Sequence, residues 1–411
     1  MNKDLFPLYA AGSGRLPFRA FWKRKLRPGG EINEWIERNI RARIRRVKQR
    51  HAERALEDAD TTRYLRESFC EKPFRKLEST PSGLAYVCCP AWLPTPIGDL
   101  KSGAEKVWFG RTARALRKSI TDGSFRYCSR VKCADIANRK LISRESPEAK
   151  AIIAEFESAT PPLPKTLFLS HDRSCNLTCP SCRTHSIVSD KAEQARLDEM
   201  TERVLVPLLR AADRVLVTGS GDPFFSNHFR RLIKRIDGED FRNLRIDLHT
   251  NAQLFDERGW NDLRLRGRVR QVEISIDAAT PETYAIVRRD GSFERLLDNL
   301  AFIKGLRDSG EIEILYFSMV VQRRNFREMP DFVRLARRFS ADWASFNMIW
   351  NWGTFTPEEF EREYVGAASH PDFEELRKVL QDPLLQPPYA QLGSVPGHVE
   401  RALRGEAPIE A

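Results

Sequence analysis

Six short apolar runs, each followed by a helical stretch, constrain this chain more than any other feature. Residues 167–170, 214–218, 244–248, 272–276, 312–321 and 344–349 read as strands. Between them, 191–212, 226–236, 256–264, 293–307 and 327–339 carry the spacing of helices. Strands alternating with helices imply a parallel sheet joined by right-handed crossovers. The expected fold class is therefore α/β, with a partial (β/α)6 barrel as the core and a smaller cysteine-bearing domain beside it. In such a barrel the working site forms at the C-terminal ends of the strands.

The rest of the 411 residues divides around that core. A basic helical arm is expected over 1–65, a cysteine-bearing region over 66–140 and a linker over 141–164. The core spans 165–355, and a helical extension and tail spans 356–411. The linker ends in Pro161-Pro162-Leu163-Pro164, a stiff stretch that suits a boundary. Residues 102–120 read as helical, and the tail after Pro383 reads as a pattern-poor extension or as disordered.

Composition narrows the function classes. The chain is 41% hydrophobic and 30% charged, the balance of a soluble globular protein. No run reaches the roughly 20 apolar residues that span a bilayer, and the N-terminus lacks a long apolar signal region. A cytoplasmic protein with no membrane partner is the expectation. The net charge of +11 is concentrated in one place. Residues 15–54 hold fourteen Lys/Arg against Glu31, Glu34, Glu37 and Glu53. A pI argument for nucleic acid loses its weight, because the remainder is nearly neutral. Ile32, Ile36, Ile40 and Ile44 recur every four residues in this arm. They describe a basic amphipathic helix that packs on its own protein or else docks an acidic partner such as a leader peptide, with nucleic acid the lesser alternative.

The eight cysteines fall into two groups, Cys70, Cys88, Cys89, Cys128 and Cys133, then Cys175, Cys179 and Cys182. The missing signal argues against disulfides, which leaves metal or cluster ligation. Three thiolates within eight residues on a loop can converge on one soft metal centre. A cubane cluster on three thiolates keeps one iron open for a small molecule. A structural zinc or a redox pair is the alternative.

Cys175-x3-Cys179-x2-Cys182 after a first strand resembles the signature of the radical S-adenosylmethionine (SAM) superfamily, and the resemblance continues to about Trp352. Thr218-Gly219-Ser220-Gly221-Asp222-Pro223 ends the second strand and is similar to the family's Gly-Gly-Glu-Pro motif. His249-Thr250-Asn251 closes the third strand and Ser275-Ile276-Asp277 the fourth. The stretch from Thr283 to Phe293 resembles the segment whose arginine, here Arg288, pairs with the SAM carboxylate. Ser181 stands where many members have an aromatic. The resemblance implies a [4Fe–4S] cluster on Cys175, Cys179 and Cys182, with SAM as co-substrate. It also implies SAM contacts at Gly219, Ser220, Gly221, Asp222, Pro223, Asn251, Ser275, Asp277 and Arg288. The implied activity is reductive cleavage of SAM to a 5′-deoxyadenosyl radical that abstracts a substrate hydrogen. An electron donor such as flavodoxin or ferredoxin would feed it.

Cys70-Glu-Lys-Pro73, Cys88-Cys89-Pro90, Ile97-Gly-Asp-Leu100, Val107-Trp108 and Cys128-x4-Cys133 resemble a SPASM/twitch domain, here placed before the core. That resemblance implies a second, auxiliary [4Fe–4S] cluster on Cys70, Cys89, Cys128 and Cys133, with Cys88 as the alternative ligand. A four-thiolate zinc site uses the same count. Maturation of a peptide or peptide-derived product is the implied function. The alternatives are a dehydrogenase or epimerase of a sugar or aminocyclitol metabolite, and a noncatalytic iron–sulfur electron carrier or regulator. His171 and His185 flank the signature as proton donors or as plain structural histidines. Trp343, Trp350 and Trp352 are candidates for the cavity wall or for packing.

Overall fold

The structure is a computed structural model and describes residues 59–130 and 132–405. The basic amphipathic helix expected within the arm lies outside the described residues. Among the described residues the strands are β1 (Ser68–Phe69), β2 (Lys76–Ser79), β3 (Leu84–Tyr86), β4 (Gly98–Asp99), β5 (Ile142–Ser143) and β6 (Thr166–Leu169). They continue with β7 (Arg214–Val217), β8 (Arg245–Thr250), β9 (Val269–Ser275), β10 (Ile314–Val321), β11 (Trp343–Met348) and β12 (Ala390–Gln391). Ten of them form one sheet in the order β12-β11-β10-β9-β8-β7-β6-β2-β3-β4, and β1 pairs with β5 alone.

β6 to β11 are the six expected strands, and each pairs in parallel with its neighbour in sequence. With no reversal of strand order, right-handed crossovers put every connecting helix on the same face. The opposite face is then free to curve inward as a partial barrel. The side chains obey that division. On β10, Leu315, Phe317, Met319 and Val321 are buried, whereas Tyr316, Ser318 and Val320 are partly exposed. Alternation of this kind turns one set toward the helices and the other toward the lumen. β9 repeats it, with Val272 and Ile274 buried against Glu273 and Ser275.

The helices start where capping side chains allow. Ser226 accepts from Phe229 N at 3.0 Å to open the helix Asn227–Arg235, and Asp256 accepts from Gly259 N at 2.7 Å to open Glu257–Asp262. The helix expected over 191–212 runs through Lys191–Met200, a π turn at Thr201–Leu205 and Val206–Arg210. That expected over 102–120 is broken into Ala104–Trp108 and Arg111–Thr121. Gly110 marks the break: a Cβ there would meet the Lys106 carbonyl at 2.6 Å.

Three arrangements differ from the sequence reading. β2, β3 and β4 lie within the 66–140 region, yet they extend the core sheet, because β2 pairs in parallel with β6. The Lys-Leu-Glu-Ser of β2 has a single apolar residue and carries no strand pattern of its own. A small satellite core of Leu65, Phe69, Phe74, Ile120, Phe125, Ile136 and Ile152 holds the remainder of that region together. Residues 141–164 carry the helix Pro147–Glu157, whose Phe156 meets Phe74 and Trp108 edge-on. The tail after Pro383 carries β12 and the helix Val395–Leu403, and β12 adds in parallel to β11. No helix among the described residues is long and apolar enough to cross a membrane.

Truncating a helix-facing strand residue tests this layering. Phe317→Ala removes a fully buried ring beside Phe332 and is expected to cost about 3–5 kcal/mol. Arg334→Ala, at an exposed ion pair with Asp331, is expected to change stability by under about 0.5 kcal/mol. Denaturant unfolding of both variants measures the contrast.

Candidate functional site

The chain leaves β6 at Leu169 and crosses the C-terminal rim of the sheet as the loop that carries Cys175, Cys179 and Cys182. Asp172 ties this loop down. Its buried carboxylate accepts from Ser174 N at 3.0 Å, from the hydroxyls of Ser174 and Ser189 at 2.9 and 2.7 Å, and from the Ser226 hydroxyl at 2.5 Å. Cys175 N donates to the Ile187 carbonyl at 3.1 Å, and Cys182 N and Arg183 N both donate to the Cys179 carbonyl. Cys175 and Cys179 are buried, Cys182 is half-buried, and the three share one apolar cluster around Leu177.

Each sulfur faces one side-chain N–H donor from a different part of the rim. Asn251 Nδ2, just after β8, lies 3.6 Å from Cys175 Sγ. Arg288 Nη1, beyond β9, lies 3.7 Å from Cys179 Sγ. Arg183 Nη2 lies 3.3 Å from Cys182 Sγ. Burial pushes the Cys175 thiol up to about 11, and the Asp222 carboxylate adds to the rise while Arg183 opposes it. Burial also raises Cys179, against the nearby Arg288. Ligation of iron reverses such a rise, because the metal replaces the proton. Three thiols with two guanidiniums and an amide beside them therefore fit a soft, anionic, cysteine-ligated group. Among the described residues, no three His, Cys, Asp or Glu converge closely enough to hold a single metal ion.

The Gly219–Pro223 turn after β7 is pressed against this loop. A Cβ on Gly221 would meet the Asp172 carbonyl at 2.6 Å and the Ser174 carbonyl at 2.7 Å. Gly221 is thus required by the approach of the cysteine loop itself. Ser220 donates its hydroxyl to the Ser170 carbonyl at 2.6 Å. Arg183 bridges the two segments, donating to the Arg173 and Ser220 carbonyls at 2.8 and 2.9 Å. For this role the sequence holds one signal, the position of Arg183 directly after the third cysteine. The Asp222 carboxylate accepts from the Thr250 hydroxyl at 2.8 Å, Asn251 N at 2.9 Å and Phe224 N at 3.0 Å. These bonds knit the end of β7 to the end of β8, although full burial raises the carboxyl.

Farther along the rim, Asp277 adopts a left-handed backbone, φ 61°, and accepts from Val320 N at 2.7 Å. Its other oxygen pairs with Arg288 Nη2 at 3.0 Å. Arg288 therefore links Asp277 to Cys179, and its buried Nε has no hydrogen-bond partner among the described residues. Asn325 donates to the Asp277 carbonyl at 2.8 Å. Ser275 Oγ lies 2.7 Å from His249 Nε2, on the lumen wall below. Eight of the nine expected SAM-contact positions thus lie at or just after the ends of β7, β8 and β9, and the ninth, Arg288, caps the helix Pro281–Val287; Asn251 and Arg288 lie directly beside cysteine sulfurs.

The remaining candidates separate. His171 is buried in a chain of ring nitrogens. Asp198 lies 2.6 Å from His228 Nδ1, His228 Nε2 lies 2.8 Å from His171 Nε2, and His171 Nδ1 lies 2.8 Å from Ser79 Oγ. With both rings neutral, His228 donates to Asp198, His171 donates to His228, and Ser79 donates to His171. Burial holds His171 well below the ordinary histidine value and lowers His228 despite Asp198. His185 bonds only to Thr184 and lines, with His171 and Arg173, a pocket of about 240 Å³ beside the loop. Trp343 stacks on Tyr316, Trp350 meets His398 edge-on, and Trp352 is exposed.

The upstream cysteines gather elsewhere. Cys70, Cys128 and Cys133 pack on the satellite core, and Cys88 and Cys89 on the main one. Burial raises Cys70, and the adjacent Cys88 and Cys133 raise it further. Lys72, ion-paired with Asp135, stands among them.

Residues 169–336 match the model of the Radical SAM superfamily. The GTP 3′,8-cyclase of Peptoclostridium acidaminophilum is 27% identical over 163 residues, which is 39% of this chain and 48% of that protein. The mycofactocin maturase MftC of Mycobacterium ulcerans is 29% identical over 171 residues, 41% of this chain and 43% of that one. The chain thus spans about half the length of the curated relatives it matches. Streptococcus suis SuiB, solved bound to the precursor peptide SuiA, superposes with a TM-score of 0.40 at 13% identity, covering 72% of this chain and 64% of that one.

Two outcomes follow from the geometry. Gly221→Ala forces the cysteine loop off the β7 turn, and a loss of about 1–3 kcal/mol is expected in thermal or denaturant unfolding. The His171–His228 pair sets a pH dependence. Both folded values lie below the ordinary 6.5, so below pH 6.5 the unfolded chain binds more protons. Their stabilisation is complete above that pH and falls as pH drops, by up to about 1.4 kcal/mol per pH unit for each ring. A shallower slope between pH 5 and 7 in His228→Asn is the result to look for.

Proposed function

We propose, for a chain that belongs to the radical SAM superfamily, that Cys175, Cys179 and Cys182 hold a [4Fe–4S] cluster whose open iron takes SAM, and that the enzyme abstracts hydrogen from a peptide or peptide-derived precursor. One observation carries the cluster assignment: three thiols on the rim loop, each facing a side-chain N–H donor, two of them brought from beyond β8 and β9 and the third, Arg183, from the loop itself. When bound, cluster and SAM together supply a one-electron cleavage of the sulfonium to methionine and a hydrogen-abstracting 5′-deoxyadenosyl radical.

The chain's own residues supply placement. Arg183, Asn251 and Arg288 donate toward the thiolates, which stabilises the charge of the ligated sulfurs. Backbone of Gly219–Pro223 lies where the amino group of SAM would be received, held in shape by Thr218 Oγ1, which accepts from Ser220 N at 3.0 Å. Ser275 and Asp277 would hold the ribose of SAM. Arg288, with an unpartnered Nε and a share in Asp277, is the group for the SAM carboxylate. The lumen wall below keeps the substrate hydrogen near the rim and away from bulk water.

An auxiliary [4Fe–4S] cluster on Cys70, Cys89, Cys128 and Cys133, with Cys88 as the alternative, belongs to the same reading. Strand direction supports it. Cys70 precedes β2, and Cys88 and Cys89 follow the antiparallel β3, so both stand at the end of the sheet opposite the rim loop. A substrate in the lumen then lies between two redox centres. The maturase relative favours a peptide precursor. The cyclase relatives, named for GTP, favour a small-molecule substrate as the second reading.

Anaerobic reconstitution tests this. About eight irons per chain are expected for two cubanes and about four for one. Reduction by dithionite with SAM should release 5′-deoxyadenosine. Cys175→Ala is expected to abolish that product and remove about four irons. Wild-type enzyme that takes up iron but forms no 5′-deoxyadenosine would falsify the catalytic assignment.

A further inference from the structure

The inner wall of the barrel carries a lateral row that no cofactor role absorbs. Strand register aligns His249 with Glu273, Glu273 with Tyr316, and Tyr316 with Trp343. Tyr316 donates its hydroxyl to Glu273 Oε2 at 2.6 Å, and His249 Nε2 lies 3.6 Å from Glu273 Oε1. The Tyr316 ring stacks on Trp343 at 4.9 Å and 15°. Burial and the Glu273 carboxylate push the Tyr316 phenol up, so it stays protonated and serves as a donor.

Charge pairing singles out Glu273. The other carboxylates on this wall are each matched to a fixed cation. Glu78 lies 2.9 Å from Lys76, Asp247 2.6 Å from Arg270, and Asp277 3.0 Å from Arg288. Among the described residues Glu273 has no Lys or Arg within ion-pair distance, only a phenol and an imidazole. Its side chain is 19% exposed and so reachable from the lumen. A partly buried carboxylate without a fixed cation, beside two stacked aromatic rings, provides the two elements that bind an organic ammonium: an anion for its N–H donors and π faces for its charge. Glu273 stands four residues before Asp277, about 13 Å along the chain. That places it on the wall below the rim.

We propose that the Glu273–Tyr316–Trp343 row receives a cationic ammonium group of the substrate and so sets which hydrogen faces the rim. The inference rests on the radical SAM reading for the word substrate, but its test does not. Saturation-transfer NMR with ethylammonium, and ethanol as the uncharged counterpart, is run on the full reconstituted protein without SAM. Transfer to ethylammonium is expected in the wild type and falls about tenfold in Glu273→Gln, while transfer to ethanol is unchanged. Trp343→Leu, which removes the aromatic face and keeps the carboxylate, weakens ammonium transfer more than ethanol transfer and serves if the first variant does not fold. Absence of transfer to ethylammonium in the wild type, or equal transfer in Glu273→Gln, overturns the proposal. Formation of 5′-deoxyadenosine by the wild type is scored separately, so failure of one reading is distinguishable from failure of the other.

Discussion

Parallel pairing of β6 to β11 in sequence order is the constraint on which the rest of the molecule depends. It sends every strand the same way, so every connection out of a strand leaves from one rim. Loops that are as much as 111 residues apart in sequence are thereby forced together. Cys179 meets Arg288, Cys175 meets Asn251, and Thr178 meets Arg289 for this reason alone. Helices are excluded from the lumen by the same rule of handedness, which leaves a concave wall for polar side chains.

Electrostatics on that rim works by matching. Buried thiols and carboxylates are costly as ions in a dry loop, and each is met by a guanidinium, an amide or a hydroxyl. Asp172 collects four donors, Asp222 three, and Asp277 an amide and Arg288. The backbone of the cysteine loop is fixed by Asp172 and by the close approach of Gly221. Lower on the wall the matching stops at Glu273, and that incompleteness is what gives the lumen a chemical preference.

Much of this was legible in linear form. The six core strands emerged from apolar runs because their outer faces must bury Val, Ile, Leu and Phe against helices. The cysteine triplet and the strand-end motifs were visible because they are local, each within a dozen residues. β2 was not legible, since Lys-Leu-Glu-Ser offers one buried leucine and becomes a strand only by pairing with β6. β12 was hidden in the same way, two residues long and sheltered by β11. Arg183 and Glu273 look like ordinary surface charges in sequence. Their meaning depends on which neighbours the fold brings to them.

By itself the sequence determined the α/β alternation, the order of the rim motifs and the supply of thiolates, because periodicity and spacing are properties of neighbours along the chain. Tertiary structure alone decided which donor faces which sulfur, that Gly221 yields space to the Asp172 and Ser174 carbonyls, and that Glu273 is left without a fixed cation. Those outcomes are set by register and by the direction of side chains across paired strands. A shift of one residue in pairing would turn Glu273 from the lumen to the helices, and no local pattern records that choice.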